Sequence, residues 1–120
     1  MVLVDTSVWI KHLRTGLPEL VDLLNSGRVL MHTMVIGELA CGSLKNRDEI
    51  LELLKSLPRS QYASDNEVLH LIESRKLMSR GVGYIDMHLL AATLIGDDQL
   101  WTADTRLANI ASSLKIGYPS

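Results

Sequence analysis

The sequence predicts an α/β fold, in the form of a three-layer α/β/α sandwich with a short parallel sheet. Short β-branched runs alternate with longer helical patterns along the chain, and strands separated by helices pair in parallel through right-handed crossovers. The chain has 120 residues, of which 47% are hydrophobic, and this size is typical of a domain with one core. We therefore expect residues 1–120 to form a single domain.

Four short runs are predicted to be strands. The first two are apolar and stop at polar residues, which is typical of strands buried on both faces. The third is a weaker prediction because it is short and mostly polar. The fourth follows a polar turn that contains Asp97 and Asp98. The four predicted strands cover residues 2–4, 28–32, 60–63 and 99–103, and residues 115–120 are a candidate edge strand.

Seven segments are predicted to be helices because apolar periodicity lies between recognisable start and stop signals. Pro18 lies in a first turn and Gly27 follows a last turn, positions that these residue types favour. Thr33 is expected to cap the third helix, and Ser64 or Asp65 is expected to start the fifth. The predicted helices lie within residues 8–14, 17–27, 33–43, 46–58, 64–81, 84–95 and 104–114.

Charge and composition narrow the functional classes. The formal net charge of −2 argues against a protein that holds nucleic acid chiefly by a basic surface. A single cysteine, Cys41, rules out an internal disulfide and is expected to be a small core residue. Apolar runs are too short to span a bilayer, and no signal peptide is recognisable. We therefore expect a cytoplasmic protein without a membrane segment.

Asp86 is the least expected residue of the sequence, because it lies in the apolar run "YIDMHLLAATLI". An ionised carboxylate that is buried without compensation costs several kcal/mol or more, so it needs a cation or a proton. Arg80 and His88 lie six and two positions away, and neither spacing is that of a helical pair. The compensating partner must come from another part of the chain.

Three further acids are expected near the same place. Asp5 directly follows the first strand and Asp104 closely follows the fourth, and parallel strands end at the functional edge of such a sheet. Asp86 and Glu38 both lie near helix starts that are expected to face this edge. Clustered carboxylates require a cation, and oxygen ligands suit Mg²⁺ or Mn²⁺. The pattern therefore favours metal-assisted hydrolysis of a phosphodiester.

Four segments carry a resemblance to a known family. "VDTSVWI", "TMVIGELACG", "YIDMHLLAAT" and "LWTADTRLANIA" resemble, in order, the four acidic motifs of PIN-domain ribonucleases, and the chain is similar to their VapC-type toxins. The resemblance implies an endoribonuclease dependent on Mg²⁺ or Mn²⁺, a homodimer, and inhibition by a small cognate antitoxin. It assigns the catalytic and metal-binding positions to Asp5, Glu38, Asp86 and Asp104, and the supporting hydroxyls to Thr6, Ser7 and Thr102.

Other interpretations remain open at this level. Asp5 and Asp104 are also suited to capping helices, and Thr102 is ordinary for a strand. Arg106 is a candidate contact for RNA phosphate. Lys11 and Arg14 are weaker candidates, because a solvated helix face accounts for them.

Two other functions compete with the nuclease. "VLVDTS" has a superficial likeness to haloacid-dehalogenase-like phosphatases, but Ser7 stands where their second aspartate is required. A non-catalytic α/β binding module would leave Glu38 and Asp86 without a role.

Overall fold

Three parallel strands form the sheet in the computed structural model, which describes residues 1–119. They are β1 (Val2–Val4), β2 (Val29–Leu30) and β3 (Gln99–Trp101), in the order β2-β1-β3. All three residues of β1 are buried, because helices cover both faces of the sheet. The helices are α1 (Thr6–Thr15), α2 (Pro18–Asn25), α3 (Thr33–Ala40), α4 (Arg47–Lys55), α5 (Asp65–Ser74), α6 (Tyr84–Gly96) and α7 (Thr105–Ser113). The predicted three-layer α/β/α fold is confirmed.

The strand register determines which residues meet at the carboxyl edge of the sheet. Leu3 pairs with Leu30 on β2, and Val4 pairs with Trp101 on β3. Asp5 directly follows β1 and Thr102 directly follows β3, and the Thr102 hydroxyl donates to the Asp5 carboxylate. The ends of these two strands therefore bring polar residues together at one edge of the sheet.

Helix α6 lies in the core, as its apolar sequence predicts. Every residue from 87 to 93 is buried, including His88 at 1% exposure. Thr93 satisfies its buried hydroxyl by donating to the carbonyl oxygen of Leu89 at 2.7 Å. Helix α6 hardly shows the division into an apolar and a polar face that amphipathic helices have, because neighbouring elements cover it on nearly all sides. Among residues 1–119, no helix is long and apolar enough to cross a membrane.

Two of the predicted helix starts are confirmed and one is wrong. Asp104 caps α7, with Oδ1 accepting from the backbone N–H groups of Arg106 and Leu107 at 2.9 and 3.1 Å. Ser64 caps α5 in a reciprocal pair with Glu67. Helix α3, however, is capped by an imidazole rather than by the predicted threonine. His32 Nδ1 accepts from Met34 N at 3.0 Å, and Thr33 is the first helical residue.

The predicted strand at residues 60–63 is not formed. A single bridge joins Met31 to Arg59, because only Pro58 and Ser60 exchange backbone hydrogen bonds with Met31. Residues 115–119 likewise contribute only the bridge from Gly117 to Leu100, and Ser120 lies outside the described residues.

Two other expectations are corrected by local geometry. Helix α5 ends at Ser74 rather than near residue 81, since Lys76 and Ser79 adopt left-handed φ values of 54° and 60°, which a helix does not continue through. Cys41 is exposed rather than in the core, because it follows the last turn of α3.

Candidate functional site

Asp5 is a nearly buried carboxylate at the end of the central strand, with 5% exposure. Its Oδ2 accepts hydrogen bonds from Ser7 Oγ at 2.6 Å and from Thr102 Oγ1 at 2.8 Å. Although Asp5 occupies the cap position of α1, its side chain makes no capping hydrogen bond. The two hydroxyls therefore fix the carboxylate, and among residues 1–119 its Oδ1 accepts no side-chain hydrogen bond.

The hydroxyls that hold Asp5 also organise the turn after β3. Thr102 Oγ1 accepts from Asp104 N at 3.0 Å, and Ser7 Oγ accepts from Ala103 N at 3.0 Å. This turn joins β3 to the cap of α7. Hydrogen bonds through Thr102 thus link the positions of Asp5 and Asp104, which are far apart in the sequence.

Glu38 lies on the exposed side of α3, in the second turn of the helix. Its Oε1 accepts from Thr6 Oγ1 at 2.7 Å. Thr6 is the first residue of α1, so this hydrogen bond connects two helices that begin at the same sheet edge.

Asp86 lies in the first turn of α6 and is half-buried. Its Oδ2 accepts from the backbone N–H of Gly83 at 3.3 Å. Burial raises the pKa of Asp86, and the negative charges of Asp5, Glu38 and Asp104 raise it further. The four acids therefore act on one another electrostatically, and neither Arg80 nor His88 neutralises Asp86 among the described contacts.

The donor set is chemically suited to a hard divalent cation. All four acids offer oxygen, and hard ions such as Mg²⁺ and Mn²⁺ prefer oxygen ligands and offset the repulsion between carboxylates. Within residues 1–119, no three acidic, histidine or cysteine side chains are already arranged as a closed metal cluster. Glu38 and Asp104 each have one oxygen engaged, in the hydrogen bond from Thr6 and in the cap of α7. The residue types fit such an ion, and the negative charge of Asp5 acts on Asp86.

The three basic candidates have different positions around the acids. Arg14 lines a cavity of about 650 Å³ between α1, α3 and α4, together with Glu38. Lys45 lines the same cavity and was missed in the sequence, where it lies in a polar loop without any distinguishing pattern. Lys11 is exposed on α1. Arg106 Nη1 donates to the carbonyl oxygen of Gly81 at 3.4 Å, just before α6.

Comparison with known proteins agrees with the motifs. The PIN domain family matches residues 2–112. Two proteins named Ribonuclease VapC32, from Mycobacterium tuberculosis strains CDC 1551 / Oshkosh and ATCC 25618 / H37Rv, are each 47% identical over 108 residues. The similarity covers 89% of this chain and 87% of each relative. The chain belongs to the PIN-domain family, as a member of its VapC-type ribonucleases.

Proposed function

We propose that this protein is a Mg²⁺- or Mn²⁺-dependent endoribonuclease that acts as the toxin of a toxin–antitoxin pair. One observation carries the proposal: the four acids lie within residues 2–112, which match the PIN domain family, in a chain that is 47% identical over 108 residues to proteins named as ribonucleases. The proposed active residues are Asp5, Glu38, Asp86 and Asp104. Because RNA is the substrate, we place this activity in the cytoplasm, within a single nuclease domain that covers residues 1–120.

In this proposal Asp5, Asp86 and Asp104 hold the divalent ion, and Glu38 orients the attacking water. The raised pKa of Asp86 supports this role, since a carboxylate whose charge is disfavoured by its neighbours gains from a bound cation. When bound, such an ion polarises the scissile phosphate and makes water a better nucleophile at neutral pH. In-line attack on phosphorus would release a 5′-phosphate and a 3′-hydroxyl.

The other polar residues have positioning roles in the same scheme. Ser7 and Thr102 fix the carboxylate of Asp5 by hydrogen bonds of 2.6 and 2.8 Å, and Thr6 does the same for Glu38 at 2.7 Å. Ligands held in place by neighbouring hydrogen bonds lose less entropy on binding an ion. Arg14, Lys11 and Arg106 are the proposed contacts for RNA phosphates, because they lie on helices that carry or adjoin the acids.

Two protein partners complete the proposal. A cognate antitoxin would neutralise the cluster by inserting an Arg or Lys among the carboxylates. A second copy would form a homodimer, to which apolar helix faces such as that of "VLHLI" at residues 68–72 would contribute. Val68 and Leu71 of that segment are 0% and 8% exposed, so they belong to the core. Leu69 at 53% and Ile95 at 48% exposure are the apolar residues available for this contact.

The test compares the wild type with Asp86→Asn, which keeps the shape of the side chain but removes its charge. We expect the wild type to cleave RNA in Mg²⁺ and to stop in excess EDTA, and we expect Asp86→Asn to be inactive. Asp22→Asn is the matched control, since Asp22 is exposed on α2. Asp98 is less suitable, because its carboxylate lies 3.6 Å from the charged amino terminus.

Three outcomes would contradict the proposal. The first is cleavage by Asp86→Asn at the wild-type rate in saturating Mg²⁺. The second is undiminished wild-type cleavage in EDTA. The third is hydrolysis of small phosphate esters without cleavage of RNA, which would indicate a phosphatase. The toxin assignment makes a separate prediction, that expression of the protein alone arrests growth and that co-expression of its antitoxin relieves the arrest.

A further inference from the structure

Four aromatic rings meet at the carboxyl end of β2, the same end of the sheet at which Asp5 follows β1. Tyr62 stacks on His32, with ring centroids 5.1 Å apart and planes at 25°. Tyr84 packs edge-to-face on His88, with centroids 4.9 Å apart, and Tyr62 lies 5.5 Å from His88. The four residues come from three separate parts of the sequence, since Tyr84 and His88 both lie on α6, and only the fold brings these three parts together.

The two tyrosines of this cluster are the exposed aromatic residues of the part of the chain that the structure describes. The sequence has only two Trp, three Tyr and no Phe. Trp9 and Trp101 are buried at 3% and 7% exposure, whereas Tyr62 and Tyr84 are 57% and 43% exposed. Tyr118 packs against the core. Surface-exposed aromatic rings that occur together in one place are typical of a binding surface.

The exposed rings are held in fixed orientations. Tyr84 Oη donates to Asp65 Oδ1 at 2.8 Å, and His88 Nε2 lies 3.3 Å from the same oxygen. Tyr62 has one face against the buried ring of His32, while 57% of the residue remains exposed to a ligand. A ligand that stacks on rings already fixed loses little side-chain entropy from the protein.

The cluster lies at the same end of the sheet as the acids. His32 follows β2 by two residues, and Asp5 directly follows β1, the strand that pairs with β2 in parallel. Tyr84 is the first residue of α6, and Asp86 is the third. The two histidines beneath the tyrosines are 1% exposed, and within residues 1–119 neither His32 Nε2 nor His88 Nδ1 has a hydrogen-bond partner.

A positive charge lies at the same edge. Arg59 Nη1 donates to Thr33 Oγ1 at 3.1 Å, at the start of α3. Arg59 is also close enough to His32 to lower the pKa of its imidazole. Two exposed rings and a guanidinium beside an acidic centre combine the two features by which proteins hold single-stranded nucleic acid, stacking of bases and contact with phosphate.

We propose that Tyr62 and Tyr84 form a stacking subsite for an unpaired base of the RNA strand, next to the scissile phosphate, and that Arg59 contacts the neighbouring phosphate. This inference rests on the proposed ribonuclease function. Stacking needs a base that is free of its duplex partner, so the subsite predicts a preference for single-stranded RNA. It discriminates little among the four bases, because every base has a π-face.

The test measures kcat/KM for an unstructured RNA oligonucleotide that the wild type cleaves in saturating Mg²⁺. Tyr62→Leu removes the ring, and Tyr62→Phe keeps it. We expect Tyr62→Leu to lower kcat/KM by roughly 5- to 150-fold, chiefly through KM, which is the range measured when stacked aromatic residues are removed. Tyr62→Phe should stay within about threefold of the wild type, since stacking requires the ring and not the hydroxyl.

A second series identifies the base that is stacked. The same oligonucleotide is prepared with a single abasic nucleotide at each position in turn. At one position near the cleaved bond, the loss of the base should reduce cleavage by the wild type. With this abasic substrate, Tyr62→Leu should cleave as fast as the wild type, because the ring no longer has a base to stack on. If the two losses add at every position, the ring and the base do not interact and the subsite is refuted.

The remaining outcomes separate this inference from the proposed function. Equal cleavage by the wild type and Tyr62→Leu would overturn the subsite and leave the ribonuclease intact. If the wild type does not cleave RNA, both proposals fall. A change in the light-scattering mass of Tyr62→Leu would show that this face joins two copies of the protein, and would also overturn the subsite.

Discussion

Replacement of Thr102 by valine would test how much the hydrogen bonds around Asp5 contribute. Valine has nearly the shape of threonine, so the substitution removes one hydroxyl without leaving a cavity. That hydroxyl donates to Asp5 Oδ2 at 2.8 Å and accepts from Asp104 N at 3.0 Å. Asp5 would keep only the hydrogen bond from Ser7, and the turn before α7 would keep only the hydrogen bond from Ala103 N to Ser7 Oγ.

The cost follows from the two hydrogen bonds. A hydrogen bond to a charged group contributes about 1.5–3 kcal/mol, and one between neutral groups contributes about 0.5–1.5 kcal/mol. Because Ser7 still donates a hydrogen bond to the Asp5 carboxylate, we expect a loss of about 2–3 kcal/mol in the free energy of unfolding. For a domain of this size, such a loss lowers Tm by roughly 10 °C. Cleavage should fall about 10- to 100-fold, as happens when residues that orient metal ligands are removed.

The assay combines urea unfolding in EDTA with cleavage of RNA in saturating Mg²⁺. Thr93→Val is the control, because it makes the same substitution at a threonine that is fully buried and whose hydroxyl donates to the carbonyl oxygen of Leu89, within α6. It should cost less than about 1 kcal/mol and leave cleavage unchanged. If Thr102→Val is no less stable than Thr93→Val and cleaves at the wild-type rate, the hydroxyl does not position Asp5 and the reasoning fails.

Three further predictions concern pH, the metal and a helix cap. Burial and the neighbouring acids raise the pKa of Asp86 above its ordinary value of 3.8, so its contribution to the stability of the metal-free protein falls as pH rises past that value. In EDTA, Asp86→Asn should therefore have a higher Tm than the wild type at about pH 7, and the difference should be much smaller at about pH 4. Mg²⁺ should raise the Tm of the wild type only. Equal Tm values for the two proteins under all these conditions would contradict this. Burial lowers the pKa of His32 from 6.5 to about 4, and the charges of His88 and Arg59 contribute to this shift. The neutral imidazole therefore stabilises the fold above pH 6.5, and this stabilisation is lost as pH falls towards 4. The loss in the free energy of unfolding is roughly 2 kcal/mol after an allowance for solvent screening. His32→Asn can still cap α3, and its free energy of unfolding, measured by urea titration, should fall less than that of the wild type between pH 6.5 and 4. The same pH dependence in both proteins would refute this. Ser64→Ala should cost about 1 kcal/mol by removing the cap of α5 and should not affect cleavage, as measured by chemical denaturation and RNA assay; no change in stability would contradict the role of the cap.

The sequence by itself determined the features that depend on short-range signals. The apolar run from 84 to 95 predicted a buried helix, and residues 87–93 are all buried. Asp104 and Ser64 were recognised as caps, because a cap contacts backbone groups only two or three residues away. The alternation of strands and helices predicted the parallel sheet. Four acids were expected at one edge, since parallel strands all end on the same side.

Tertiary structure decided everything that depends on a distant partner. Residues 60–63 have the composition of a weak strand, but a strand forms only where a neighbouring strand supplies a full row of hydrogen bonds. Here the neighbouring segment offers only the backbone groups of Met31. Cys41 was expected in the core, yet its position at the end of α3 leaves it exposed.

The detailed geometry of the site also came from the fold. Glu38 is bonded to Thr6, 32 residues away, and Asp5 to Thr102, 97 residues away. Tyr62 and Tyr84 meet around His88 although nothing in the sequence pairs them. The physical reason is that periodicity shows which side of an element is apolar, but packing of the whole chain determines which neighbour covers that side and which polar groups then come within hydrogen-bonding distance.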